Sequence, residues 1–548
     1  MSSPAIARAV VEELLNAGVT DVVVCPGSRS APLALTLADA ERRGLVRLHV
    51  RIDERSGAYL ALGLARGSGR PVAVVTTSGT AAVNLHPAIV EAAYSGVPLI
   101  AVTADRPGEV RGSGANQTID QRALYGDDVV TWADVEGLSD SALRAAIAGA
   151  LGLAVSQPGP VHVNVPLAEP LVQPGAHAVG DLAARDGREQ PVRTGAPLST
   201  LLAPGVDAAR GILVAGDFDD EGSRAAAARL ATALGWPIIS EPSGNLSAHP
   251  HALRHGPLVL ATSFDQVPDA VVTIGRVGLH RSVVKAIRAA RAHVAVDVAP
   301  HLGRVDPART AVAIVDAVPV ADSAPDPEWL DAWRRADDAA AQAVDAILLD
   351  SRLTGATVAA TVARHVTDRD LLVVGASWPV RHVSSYAGAI RARCIGNRGT
   401  SGIDGVISTA WGAALANDGG TTYALVGDLT AIYDRNGLLA APGEQRPNLV
   451  YVISDNDGGG IFSSLEQGSP EFAADFERVF GTPHGSDIAA LVAAPGVSVT
   501  SVSSVNELNA ALRESATGVR IIVARCASRA DEQQQSLAIQ QAVTSALA

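Results

Sequence analysis

Tyr423-Ala-Leu-Val-Gly-Asp-Leu429, and after it Leu449-Val-Tyr-Val-Ile-Ser-Asp-Asn-Asp-Gly-Gly-Gly-Ile-Phe462, decide how this chain is read. Each stretch is a short apolar run that ends directly in acidic residues, as a buried strand of a parallel sheet does where it meets a polar turn. Asp428 and Asp455 lie 27 positions apart (455 − 428), enough for a helical crossover that returns the second strand beside the first. Two carboxylates and a main-chain carbonyl from the following turn then face one point. Hard oxygen ligands of this kind suit Mg²⁺, an ion that keeps water and bridges to phosphate rather than being caged by protein. Gly458, Gly459 and Gly460 let backbone approach a bulky ligand closely. Either piece alone also reads as an ordinary turn after a strand; the two together, at this spacing, point to a metal site.

Outward from this region, Val/Ile-rich runs alternate with Ala/Leu/Arg stretches of helical period along the whole chain. The pattern predicts an α/β protein of doubly wound parallel sheets. In the first third, strands are predicted at 21–25, 48–52, 71–76, 98–103 and 161–165, each ending in a polar or Gly-rich turn. A second region opens at Gly211-Ile-Leu-Val-Ala-Gly-Asp217, with further strands at 270–274 and 293–298. A third carries strands at 371–374, 423–426, 449–453 and 521–524. Stretches rich in Pro, Ala and polar residues at 170–203 and 318–327 read as linkers, the second leading into a polar helix at 329–349. Three domains follow, at 1–175, 200–325 and 350–548. Ligands of such sheets gather at strand carboxyl ends, so the turns there are the candidate sites.

Composition limits the function. Hydrophobic residues make up 47% of the 548 and charged residues 18%, which excludes a disordered chain. A net charge of -14 argues against a nucleic-acid-binding surface, because phosphate contacts need clustered cations. Lys285 is the single lysine, so every other cationic side chain is an arginine or a histidine. Genomic bias accounts for that as readily as function does, but an anionic ligand would have to be held by a local arginine cluster, and arginine clamps carboxylates bidentately. Cys25, Cys394 and Cys526 form no Cys-x-x-Cys pair, which suits a reducing cytoplasm. The N-terminus lacks the apolar core of a signal peptide, and no uninterrupted apolar run approaches the length of about 18 residues that a membrane helix needs. Neither a Walker A string nor a Gly-x-Gly-x-x-Gly after a strand is present. Ser282-Val-Val-Lys285 fits the Ser-x-x-Lys of serine acylases without its partner motifs.

The paired strands resemble the signature of thiamine-diphosphate (ThDP) enzymes, a Gly-Asp-Gly followed by Asn-Asn. This chain departs from it at Leu429 and at Ser454-Asp455, which keeps the carboxylate chemistry. The resemblance implies ThDP with Mg²⁺ or Mn²⁺. It implies that Asp428 and Asp455 bind the metal through side chains and Asp457 through its carbonyl. Gly427, Leu429, Gln117, Gly459, Ile461 and Phe462 would contact the cofactor, and Ile403 would prop it into its V shape, although Ile403 also reads as an ordinary core residue. Leu48-His-Val-Arg-Ile-Asp-Glu54 ends a predicted strand in a glutamate. Glu54 matches the family's catalytic carboxylate, which favours the imino tautomer of the aminopyrimidine. A glutamate there would also complement the dipole of the following helix, and Asp53 is the neighbour most easily confused with it.

A closer resemblance rests on Val24-Cys-Pro-Gly-Ser-Arg-Ser-Ala-Pro32, Thr77-Ser-Gly-Thr80, Ala104-Asp-Arg-Pro107, Gly114-Ala-Asn-Gln-Thr118 and Asn397-Arg-Gly-Thr-Ser-Gly-Ile-Asp-Gly405. Together these are similar to the 2-succinyl-5-enolpyruvyl-6-hydroxy-3-cyclohexene-1-carboxylate (SEPHCHC) synthase family of menaquinone biosynthesis. The resemblance implies a cytoplasmic transferase that decarboxylates 2-oxoglutarate and adds the resulting succinyl-semialdehyde unit conjugatively to isochorismate. It implies substrate contacts from Ser28, Arg29, Arg106, Gln117, Arg281, Ser377, Arg381 and Arg398. At His280 the family pattern leads one to expect lysine. It also implies pyrimidine-binding (1–175), central (200–325) and diphosphate-binding (350–548) domains, and a homodimer or dimer of dimers with its active sites at the interface. An acetohydroxyacid-synthase-like or pyruvate-decarboxylase-like enzyme is the alternative; it would use pyruvate and need no arginine cluster.

Overall fold

Strands that are buried on both faces must be apolar along their whole length, and the chain supplies such runs wherever a central strand is needed. The computed structural model describes residues 1–180, 194–206, 208–299, 305–349, 352–515 and 517–548; part of the predicted linker at 170–203, and the first residues of the predicted third domain, lie outside them. One sheet contains β1 (Asp21–Val24), β2 (Arg47–Val50), β3 (Val72–Thr76), β4 (Leu99–Asp105), β5 (Thr131–Asp134) and β6 (Val161–Pro166), in the order β2-β1-β3-β4-β6-β5. A second contains β7 (Gly211–Ala215), β8 (Ile238–Ser240), β9 (Ala270–Ile274), β10 (Ala292–Val296) and β11 (Ala311–Val315), in the order β11-β10-β9-β7-β8. The third contains β12 (Leu371–Val374), β13 (Arg393–Ile395), β14 (Thr422–Gly427), β15 (Leu449–Asp455), β16 (Val497–Val502) and β17 (Val519–Arg525), in the order β13-β12-β14-β15-β17-β16. Every pairing between these strands is parallel. The fold class is therefore α/β with three doubly wound parallel sheets.

The predicted strands all form, within a residue or two of their expected ends. Five strands escaped the sequence reading: β5, β8, β11, β13 and β16, and each is an edge strand. An edge strand that is partly solvated need not be continuously apolar, and β11 alternates half-buried and exposed positions; β8 and β13 are largely buried but only three residues long. The predicted polar helix is Pro327–Leu348, capped by the Asp326 carboxylate, and it buries Trp329 and Trp333 along one face.

By its internal contacts the chain divides into two compact units. One comprises Met1–Pro191 with Asp404–Asp418 and Asp434–Pro447; the other comprises Val192–Ile403 with Gly419–Tyr433 and Asn448–Ala548. The first sheet belongs to the first unit, and the second and third sheets belong to the second.

Strand order locates the candidate ligand sites. The chain leaves β1 to one side for β2 and crosses back for β3, so a crevice opens beyond the carboxyl ends of β1 and β3. The same reversal occurs between β12 and β14 in the third sheet. Residues 26–29 and 77–80 sit at the first switch point, and residues 375–377 and 427–428 at the second.

Within the first unit, the helix Glu54–Ser68, which begins at the predicted catalytic glutamate, packs closely on the helix Val406–Leu415. A Cβ on Gly412 would come 2.0 Å from the Leu60 carbonyl oxygen, and one on Gly63 would come 2.0 Å from that of Thr409. Backbone atoms cannot step aside as side chains can, so Gly412→Ala should destabilise the protein by about 1–3 kcal/mol or more. Gly149→Ala, at an exposed position of the helix Asp140–Ser156 with nothing within 4 Å of the new methyl, should stabilise it by about 0.5–1 kcal/mol. Thermal unfolding of the two variants checks this, and equal unfolding temperatures would refute it.

Candidate active site

Asp428 follows β14 directly and begins the short helix Asp428–Tyr433. Its carboxylate is 3% exposed and accepts several main-chain N–H groups: Leu429 on Oδ1 at 2.6 Å, and Asn456 and Gly458 on Oδ2 at 3.2 and 2.8 Å. The turn after β15 is thus tied to the end of β14, and Asp455 is brought beside Asp428. Burial, then the like charge of Asp428, holds the Asp455 carboxyl above the ordinary carboxylate range. A carboxylate held in this way beside a second one fits a divalent cation, which would relieve it. Asp457 takes a left-handed conformation at φ 59°, and its side chain accepts the N–H groups of His484 and Gly485 at 3.0 and 2.8 Å. One of its carboxylate oxygens, Oδ1, is therefore engaged within the fold.

The cavity beside this turn is lined by Ser377, Ile403, Gly427, Asp428, Leu429, Gly459, Ile461 and Phe462, among others. All the cofactor-contact residues expected in the second unit therefore face one space. The glycine run is required by close approach. A Cβ on Gly458 would meet the Gly481 carbonyl oxygen at 2.2 Å, at φ 128°, and one on Gly460 would meet the Trp378 ring at 2.5 Å.

Sequence reasoning missed the groups that hold this turn in place. Glu532, buried in the helix Arg529–Ala546, accepts the Asn456 side-chain amide at 2.7 Å and the Gly355 N–H at 2.5 Å. Burial pushes its carboxyl up to about 7. His484 reaches Asp428 from another side, with Nε2 3.3 Å from Oδ2. Nothing in the local sequence marks either residue, because each lies far along the chain from the turn it supports.

Arg381, Arg398 and His280 gather near the same switch point. Arg381 Nη1 donates to the Ser377 carbonyl at 2.9 Å, and its guanidinium is held below its usual range by burial and by repulsion from Arg398. Glu241, buried in the middle region, accepts the N–H groups of Gly278 and Leu279, both at 2.8 Å, and exerts an attraction on both arginines. His280 exchanges a hydrogen bond with Ser384 at 2.9 Å; desolvation, then Arg381 and Arg398, push it down to about 4, so it is neutral at physiological pH. Arg281 is exposed at the start of the helix Arg281–Ala289. Ser282, from the Ser-x-x-Lys string, spends its hydroxyl on the Pro257 carbonyl.

In the first unit, Asp53 caps the helix that Glu54 begins. Its carboxylate accepts the N–H groups of Arg55 and Ser56 and the Asn436 side-chain amide. That engagement distinguishes Asp53 from Glu54. Asp434, fully buried, accepts the Ser408 N–H and the Ser56 hydroxyl, and burial pushes its carboxyl up to about 6. At the switch point of the first sheet, Arg106 donates to the Ser78 hydroxyl at 2.5 Å and the Gln117 carbonyl at 2.7 Å. Burial, and then repulsion from Arg29, holds it below its usual range. Gln117 bends at φ 56° and donates to the Ser78 carbonyl. Arg29 donates to the Leu167 carbonyl at 2.9 Å, and Ser28 is exposed beside it. Ser28, Arg29, Arg106 and Gln117 therefore share one end of the first sheet.

Models of the thiamine pyrophosphate enzyme N-terminal and C-terminal TPP binding domains match residues 5–124 and 382–524. The chain is 42% identical to the SEPHCHC synthase of Thermobifida fusca, with 100% of this chain and 99% of that one covered. The chain belongs to the SEPHCHC synthase family. It is thus a ThDP-dependent enzyme of the transferase type. The synthases of Saccharopolyspora erythraea (41% identical, 96% of each chain) and Mycobacteroides abscessus (42%, 95% of this chain and 96% of that one) are similar over nearly the same span. Among the described residues, no helix is long and apolar enough to cross a membrane.

The state of His280 has a measurable consequence. Above pH 6.5 the imidazole is neutral whether the chain is folded or not. As pH falls from 6.5 towards 4, the unfolded chain takes up a proton that the folded chain refuses, and stability is lost across that window. The drop in unfolding temperature between about pH 7 and about pH 5 should therefore be smaller in His280→Gln than in the parent protein. An equal or larger drop would show that His280 is protonated in the fold.

Proposed function

We propose that this enzyme decarboxylates 2-oxoglutarate and joins the remaining four-carbon unit to isochorismate, releasing CO₂, as a cytoplasmic step of menaquinone biosynthesis. The observation that carries the substrate assignment is the half-buried arginine pair Arg381 and Arg398, mutually repelling, with Arg381 hydrogen-bonded to Ser377 on the wall of the cavity that Asp428 borders. Like charges held together in a low-dielectric setting favour a dianion, and 2-oxoglutarate and isochorismate are both dianions. Pyruvate, with one carboxylate, would leave part of that charge unmatched.

In this reading Asp428 and Asp455, with the Asp457 carbonyl, hold Mg²⁺ or Mn²⁺ against the diphosphate of ThDP. Gly427, Leu429, Gly459, Ile461 and Phe462 line the cofactor and Ile403 supports its bend. Bound ThDP supplies the electron sink that lets CO₂ leave a 2-oxo acid and the remaining fragment be transferred. Glu54 holds a proton against the aminopyrimidine, and Gln117 contacts the cofactor or substrate from the same unit. Ser28, Arg29 and Arg106, together with Ser377, Arg381, Arg398 and Arg281, orient the substrate carboxylates. Neutral His280 stands where the family pattern carries lysine, so it offers a hydrogen bond in place of a charge. The domain spans 1–175, 200–325 and 350–548 belong to the same reading.

Protein mixed with ThDP, Mg²⁺, 2-oxoglutarate and isochorismate should release CO₂ and form a product of the summed mass less CO₂. Pyruvate turning over faster than 2-oxoglutarate would overturn the substrate assignment. Lysine at 381 or 398 keeps the charge but loses the planar fork, so either variant should raise the KM for a substrate while ThDP affinity stays unchanged. Unchanged KM values for both substrates in both variants would refute the clamp.

The reading also includes a homodimer, alone or paired into a dimer of dimers, whose sites combine Glu54 of one chain with Asp428 and Asp455 of its partner. Glu54→Gln and Asp428→Ala should each be inactive alone. After subunit exchange about half the dimers are mixed, each with one intact site, so roughly a quarter of parental activity should return. Activity that stays at the single-variant level, with exchange verified by native mass spectrometry, would refute shared sites.

A further inference from the structure

Asp428, Asp455 and His484 each present a ligand atom, and those atoms all lie within 4.8 Å of one another. At first sight this is a metal site containing a nitrogen donor. The hydrogen bonds of the imidazole argue otherwise. His484 Nδ1 accepts the main-chain N–H of Ser486 at 3.0 Å. A ring nitrogen that accepts an N–H has a lone pair there and no proton, so the neutral ring carries its proton on Nε2. That Nε2–H faces Asp428 Oδ2 at 3.3 Å, with Asp455 Oδ1 at 3.8 Å. A nitrogen bearing a proton has no lone pair to give a metal. The remaining neighbour of the ring, Asp457 Oδ1, is 3.5 Å from Nδ1 and is already engaged by the N–H groups of His484 and Gly485.

We propose that His484 is a positioning residue of the metal site: its Nε2–H fixes Asp428 through Oδ2, so that the other carboxylate oxygen is presented to the ion, and the imidazole is not a ligand. This rests on the reading of Asp428 and Asp455 as metal-binding. The same turn pins the metal loop through its backbone, since the Gly481 carbonyl accepts the Gly459 N–H at 2.7 Å and the 484–485 amides hold the Asp457 side chain. His484 therefore closes a latch in which one side chain and several main-chain groups set the geometry of the loop. Hydrogen-bond partners of metal ligands typically change metal affinity by about 10–100-fold when removed.

The test uses Mn²⁺ bound to the full-length enzyme with ThDP. Electron paramagnetic resonance of free Mn²⁺ gives the affinity, and electron spin echo modulation reports any nitrogen bonded directly to the ion. The parent protein should show no directly bonded protein nitrogen. His484→Leu should weaken Mn²⁺ binding by about tenfold or more, whereas His484→Gln, whose side-chain amide can donate from nearly the place of Nε2, should restore most of it. A directly bonded nitrogen that disappears in His484→Gln would overturn the proposal in favour of ligation. Unchanged affinity in His484→Leu would overturn it by showing no role at all. If the parent protein itself bound no Mn²⁺ with ThDP, the metal reading would fail, a result distinct from either of these.

Discussion

A carboxylate buried at the end of a strand is costly unless its oxygens are satisfied, and the way Asp428 is satisfied organises the second unit. Its Oδ2 accepts main-chain N–H groups from the turn after the neighbouring strand, so the end of β14 and the exit of β15 are fixed relative to each other by hydrogen bonds of about 3 Å. Asp455, the bend at Asp457 and the glycine run all take their positions from that connection. Supports converge on the same turn from distant parts of the chain, Glu532 through the Asn456 amide and His484 through its imidazole. Bonds to an ionised acceptor are stronger than neutral ones, which suits a turn that must remain in place while a highly charged cofactor enters and leaves.

Charge elsewhere in the molecule follows a related logic. A protein of net charge -14 attracts anions only where cations are concentrated locally. Both sheets with catalytic candidates concentrate them at a switch point, Arg29 and Arg106 in the first and Arg381 and Arg398 in the third, and in each pair burial, and then the neighbouring arginine, holds one guanidinium below its usual range. Such pairs are unfavourable by themselves and are retained because main-chain carbonyls of Leu167, Gln117 and Ser377 accept from them. In the second unit Glu241 adds a buried counter-charge, and the neighbouring imidazole of His280 stays neutral. The switch point of the third sheet is thereby made positive without a further ionised histidine beside it.

Close backbone packing is the other constraint. Helix Glu54–Ser68 lies against helix Val406–Leu415 only because Gly63 and Gly412 carry no side chains, and Asp434 bonds to the start of both helices. The position of Glu54 in its unit follows from this contact and from the Asp53 cap beneath it.

The sequence by itself determined the fold class, the central strands and the pair of acidic strand ends, because strands buried on both faces write continuous apolar runs into the chain and the polar turns that follow them start abruptly where the runs end. It did not reveal β5, β11 and β16, whose partly solvated edges relax that requirement, nor β8 and β13, which are edge strands of three residues, too short to write a run. It marked Arg381 and Arg398 as separate candidates; only the tertiary structure brought them to one place and added Glu241 as their neighbour. Likewise, Asp53 and Glu54 look alike in sequence, and hydrogen bonds made by Asp53 to its own helix tell them apart. Glu532 and His484 carry no local signature, since what they do depends on contacts across 76 and 56 positions of the chain. Local sequence records what each strand and turn requires of its own residues; which remote side chain orients a functional group is decided by packing alone.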